Sequence, residues 1–220
     1  SLGRDKRTNK VDDDHNGFID DFRGWDFAAN DNDPMDQNNH GTHVAGTIGA
    51  VGNNGVGVVG VNWSVKIVPL RFLDENGEGY ISDAVLAMQY ASKLGLVATN
   101  HSWGGGSYSQ AMYDAIKAAN DAGQLFIAAA GNESSNNDAT LHYPSGYNLP
   151  NVIGVAAVNK TGGLAWFSNF GQTKVHVAAP GAEILSTITG NGYSVFQGTS
   201  MATPHVTCLL YTSDAADDTP

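Results

Sequence analysis

The chain has 220 residues, 41% hydrophobic and 15% charged, which is enough apolar material for one compact domain with its own core. That balance excludes a disordered tail or a collagen-like repeat, and a formal net charge of −11 argues against wrapping a nucleic-acid backbone. The acidity is local: nine aspartates stand against Arg23 between positions 12 and 36, and Asp214, Asp217 and Asp218 account for the rest of the excess. Cys208 is the single cysteine, so no intrachain disulfide forms and no cysteine-rich metal centre exists. No apolar run reaches the length of about eighteen residues that a membrane-spanning helix needs, and the opening SLGRDKRTNK lacks the apolar core of a signal peptide.

In chain order, the acidic segment comes first. Asp12, Asp14, Asn16, the carbonyl of Phe18 and Asp20 place oxygen donors at alternate positions, with Gly17 sixth in the loop. Calcium loops need such a donor set and such a turn. Arg23 stands where an EF-hand carries its bidentate Glu, so this is a variant loop. A solvated acidic loop is the alternative, but so many uncompensated charges repel one another without a cation.

His40 then opens a helical apolar pattern of His43, Val44 and Ile48. The run 65–73 reads as a buried strand interrupted by Pro69, and 81–95 as a helix capped by Ser82 or Asp83 and stopped by Gly95. Residues 96–102 read as a strand and 109–123 as a helix, followed by strands at 125–131, 151–158 and 174–181. Strands alternating with helices imply parallel crossover units, and so a three-layer α/β/α domain with a mostly parallel sheet. Ligand crevices in such sheets lie beyond the carboxyl ends of the strands, where the glycine-rich turns at 102–106 and 128–132 fall.

Ser200 lies between Gly198 and Ala202, ahead of a Thr-Pro pair that bends or opens a helix. It suits a nucleophile at a helix N-terminus, where backbone N–H groups stabilise an oxyanion; it equally suits an N-cap. His40 is a candidate general base for it, and a lone histidine is more often a surface or core residue.

HGTHVAG (40–46), SWGG (102–105), AAAGN (128–132) and GTSMATPH (198–205), in that order, resemble the subtilisin-like serine proteases, above all their thermitase-like branch. The resemblance runs from about Asn9 to Val206. It implies a secreted, monomeric serine endopeptidase with protein or peptide substrates and an inhibitory pro-segment upstream. His40 matches the general base, Ser200 the nucleophile, Asn132 the oxyanion amide, and Thr199 a supporting hydroxyl. Ser102, Trp103 and Gly104 match one substrate-pairing edge and Gly77, Glu78 and Gly79 the other, so the peptide would bind by strand addition. Ala129, Ala130 and Gly131 wall the primary pocket with 102–104. His142 falls at its floor and makes it shallower and more polar. Tyr80 and Ile81 rim a further subsite, and Tyr143–Pro144 matches a cis peptide bond. Asp26, Asp31 and Asp33, with Asp36 less well matched, correspond to a second calcium region. The loop 52–58, with Asn54, corresponds to a third, whose other ligands would lie upstream.

Two departures stand out. No Asp-[Ser/Thr]-Gly precedes His40, so the triad carboxylate is missing from this chain, and after Val206 the sequence TCLLYTSDAADDTP loses the small-residue helix pattern. The expectation is a peptidase domain over 1–206 that lacks its first strand, a foreign tail over 207–220, and little activity in the chain as it stands. A non-catalytic, calcium-binding and peptide-binding relative is the main alternative. An esterase with a nucleophile elbow is disfavoured because its histidine should follow the serine. A zinc enzyme using His40, His43 and His205 lacks a nearby Glu.

Overall fold

The computed structural model describes residues 7–217, with side chains through 210. Its centre is a four-stranded parallel sheet in the order β3-β4-β5-β6: Ala98–His101, Leu125–Ala129, Val152–Val158 and Val177–Pro180. Two more parallel pieces, β1 (Trp25–Asp26) and β2 (Leu70–Arg71), pair separately. The expected strand over 65–73 shrinks to these two residues; Pro69 lacks an N–H for a ladder, although its carbonyl accepts from Trp25 N at the start of the pairing.

Helices cover both faces. α2 (Ile81–Lys93) and α3 (Gln110–Asp121) pack on one side. In α3 the buried residues Met112, Ala115, Ile116 and Ala119 recur at the helical period and meet Phe126 and Ala128 of β4. Ser109 caps α3 through its side chain, which accepts from Met112 N, while α2 starts after Tyr80 without a side-chain cap, not at Ser82 or Asp83. On the other face α4 (Thr199–Asp217) sets Ala202 and Val206 against Ile127, Val155 and Ala157. Because strand side chains alternate, Ile127 faces α4 while its neighbours Phe126 and Ala128 face α3, and a strand buried on both faces must be apolar throughout. The three-layer α/β expectation holds.

α1 (His40–Gly49) leans on α4 and on an antiparallel hairpin, β7 (Ile184–Ile188) with β8 (Gly192–Phe196). The boundary drawn at 206 falls inside α4. Thr207 and Cys208 are buried there, with Thr207 Oγ1 donating to Asn100 Oδ1 at 3.0 Å and Cys208 Sγ to Ile48 O at 2.9 Å. No helix among the described residues is long and apolar enough to cross a membrane.

Candidate active site

The carboxyl ends of β3 and β4 and the N-terminus of α4 meet at one place. Pro204 decides how they are joined. A proline inside a helix has no N–H for the carbonyl four residues earlier, and here that carbonyl belongs to Ser200. Ser102 Oγ, just past β3, donates to it at 2.8 Å, and Ser200 Oγ in turn donates to Ser102 O at 3.1 Å. Asn100 Nδ2 donates to Ser102 Oγ at 2.9 Å. A polar chain therefore runs from Thr207 in the body of α4 through Asn100 and Ser102 to Ser200.

Asn132 follows β4. Its Oδ1 accepts from Thr199 N at 2.8 Å and from Thr199 Oγ1 at 3.0 Å, which turns the amide nitrogen away from the protein. Thr199 is wholly buried, and its hydroxyl also accepts from Gly131 N, tying α4 to the end of β4. A point one Cβ length from Gly198 lies 3.7 Å from the Asn132 amide nitrogen and 3.6 Å from Ser200 N. The Asn132 amide oxygen is equally close, at 3.7 Å, so the amide group and Ser200 N sit together at the start of α4.

His40 is the first residue of α1 and is half-buried. Asp36 holds the helix start, accepting from Asn38 N, Asn39 N, Thr42 N and Thr42 Oγ1. Burial pushes the His40 imidazole below its ordinary pKa; the Asp36 carboxylate opposes that and His43 adds to it. The ring is therefore neutral near pH 7. No side chain among the described residues bonds to it, and the Ser200 hydroxyl is turned to Ser102 O.

Two other histidines are tied to backbone carbonyls. His43 Nε2 lies 3.0 Å from Ile184 O and 3.1 Å from Ser194 O, and its ring stacks on Phe196. His205 Nδ1 bonds Met201 O. Among the described residues no three His, Cys, Asp or Glu side chains gather as a metal site. His101 had gone unnoticed in the sequence. It is buried, stacks on Phe126 at 3.6 Å, and accepts at Nδ1 from Trp103 Nε1. Its Nε2–H then donates to Thr99 Oγ1, which donates to Leu125 O. Both ring nitrogens of His101 are satisfied with a neutral ring, and burial pushes the imidazole down to about 3.

Among the residues expected to meet substrate, Trp103 meets Phe72 edge-on at 5.0 Å, and Ala129, Ala130 and Gly131 are buried. Gly77, Glu78 and Gly79 are exposed on a turn held by Asp74, whose Oδ1 accepts from Asn76 N and Glu78 N. Tyr80 is exposed beside them, at the start of α2. His142 is largely buried, and the Tyr143–Pro144 bond is cis, as expected.

The acidic residues divide. Asp12 accepts from Asn16 N and Gly17 N, so the first loop is wound as its sequence requires. The Asn16 amide bridges Asp14 and Asp21, and Phe18 pins the loop through Trp25, Phe27 and Tyr90. Asp20 accepts from Lys10 N. The donors are all oxygens, as calcium prefers, but the carboxylates do not converge. In the second region the Asp26 carboxylate is buried, paired with Arg71, and accepts from Ala28 N and Ala29 N. Asp31 accepts from Asp33 N, Asp33 is exposed, Asp36 caps α1, and Asn54 accepts from Val56 N in its own turn.

A doubly covered parallel sheet with Ser200 and the Asn132 amide at its carboxyl edge has the layout of a hydrolase site. The subtilase family model matches residues 5–211, so the chain belongs to the subtilase family. It is 46% identical over 188 residues to a thermophilic serine proteinase of Bacillus sp. (strain AK1), covering 86% of this chain and 45% of that one. Against subtilisin E of Bacillus subtilis the identity is 40% over 185 residues, covering 83% and 48%. The chain thus spans about half the length of these curated relatives. A crystal structure of a cold adapted subtilisin-like serine proteinase superposes with a TM-score of 0.74 at 35% identity, covering 87% of this chain and 67% of that one.

Proposed function

We propose that the protein is a serine endopeptidase that cleaves extended polypeptides. The observation that carries this reading is the double use of Thr199: it turns the Asn132 amide nitrogen outward while placing Ser200 at the head of α4. In the cycle, neutral His40 takes the Ser200 proton as Oγ attacks the scissile carbonyl carbon. Asn132 Nδ2–H and Ser200 N–H hold the oxyanion, and Thr199 fixes the amide that does so. Collapse expels the amine, which receives the proton from His40, and water repeats the sequence on the acyl-enzyme. The peptide pairs with 102–104 on one side and 77–79 on the other. Secretion and a pro-segment partner belong to the same reading.

No carboxylate among the described residues hydrogen-bonds to His40, and that favours, as a second reading, a peptide-binding relative without turnover. A fluorophosphonate probe separates the two. Labelling of Ser200, lost in Ser200→Ala, supports the protease; a folded chain that stays unlabelled supports the binding module.

We also propose calcium for the loop of Asp12, Asp14, Asn16, Phe18 and Asp20. Oxygen donors at alternate positions support it, and the ion when bound would offset the charge that those side chains share. Excess calcium should then raise the melting temperature and a chelator lower it, whereas an unchanged melting curve would leave the loop merely solvated.

A further inference from the structure

We infer that the His142 imidazole closes the primary side-chain slot, so that the residue on the acyl side of the scissile bond must be small and uncharged: glycine, alanine or serine. The inference rests on the protease reading and adds to it which side chains the slot takes.

Two walls without side chains bound the slot: Gly104 beyond β3, and Gly131 beyond β4 in the left-handed region at φ 110. The His142 ring lies between them. A Cβ added at Gly104 would collide with His142 Cε1 and lie 2.8 Å from Nε2, while one added at Gly131 would lie 2.8 Å from His142 Cδ2. The Nε2 end of one ring therefore lies against both glycines, and at Gly131 it shares the space with Asn169 Nδ2 and Glu133 Oε2. An aromatic or branched side chain entering between these walls needs the volume that the ring already holds, and close-packed interiors do not yield it freely.

The ring is also held in place. Gly146 N and Ser145 Oγ donate to the His142 carbonyl, at 2.6 and 3.1 Å, and Gly105 N donates to the next carbonyl, that of Tyr143, at 3.0 Å. The segment carrying the ring is thus bonded to the very wall that the ring touches. Ser145 Oγ lies 3.5 Å from Nδ1, and Glu133 Oε2 lies 3.9 Å from Nε2. Asn169 Nδ2 donates to that Glu133 oxygen at 2.7 Å and keeps the carboxylate turned toward the slot. An acidic substrate side chain would meet this charge, and a lysine or arginine stem would have to pass the ring to reach it.

The test uses tripeptide boronic acids that differ only in the last residue, Ala, Phe, Lys or Asp, titrated by calorimetry against the chain and against His142→Gly and His142→Ser. Circular dichroism checks that each variant is folded. The Ala compound should bind at least about tenfold tighter than the others to the unmodified chain, and opening the slot should tighten Phe by about 10- to 100-fold, the range that pocket volume governs. Phe binding as well as Ala, or unmoved by both variants, overturns the inference and leaves the protease reading standing. A preference for Lys overturns it in favour of a Glu133-directed cation slot. A folded chain that binds none of the compounds overturns the protease reading, and the inference with it.

Discussion

At the residue scale, burial sets the protonation of His40 before any substrate arrives. Its imidazole sits below the ordinary histidine range because the half-buried ring disfavours the cation, and Asp36 restores only part of that. The base form is needed, so Ser200 labelling should lose rate as the solution is acidified, with a midpoint below about 6.5. In Asp36→Asn the charge that favours the imidazolium is gone, and the midpoint should move lower still. A midpoint that rises in that variant would contradict the assignment. Asn132→Ala should cost about 10²- to 10³-fold in turnover, a figure measured on a subtilisin itself, with substrate affinity little changed. A loss confined to affinity would place Asn132 in binding and not at the oxyanion.

At the scale of elements, the strongest dependence is of α4 on β3. Because Pro204 leaves the Ser200 carbonyl without a helical partner, Ser102→Ala should strand a partly buried acceptor and destabilise the fold by about 1–3 kcal/mol. Chemical denaturation measures that loss, and a neutral result would mean that the carbonyl finds another donor. The sequence carried the motif residues themselves, since short signatures keep their spacing whatever surrounds them. It did not disclose that Ser102 serves Ser200, because nothing local links positions so far apart. The His101 chain escaped notice for the same reason: its ring partners come from β3 and β4 together. Helices α2 and α3 were legible from period and stop residues. The β7–β8 hairpin was missed although residues 184–196 alternate around Gly-Asn-Gly, a usable turn signal. Asp26 shows the limit of ligand spacing, since the same pattern serves an ion or a guanidinium, and only the fold brings Arg71 to it.

At the scale of the whole molecule, histidines in the interior make the fold sensitive to acid. Burial is the leading cause of the lowered pKa of His40, His43, His101, His142 and His205. An unfolded chain takes up protons on these rings below about pH 6.5, whereas the folded one refuses them until lower pH, so stability falls as pH drops through that window. His101 extends the window furthest, to about 3. Melting temperature should therefore decline steadily between pH 7 and pH 4. His101→Gln, which keeps a donor and an acceptor but does not titrate, should flatten that decline; an unchanged slope would exclude His101 as a contributor. The bond between Ser102 and Ser200 has a further consequence in time. Its partners stand 98 positions apart, so closing it requires a long chain segment to be gathered first. The surroundings of Ser200 are completed only once β3 and α4 have docked, so a change at either element reaches the serine through the other.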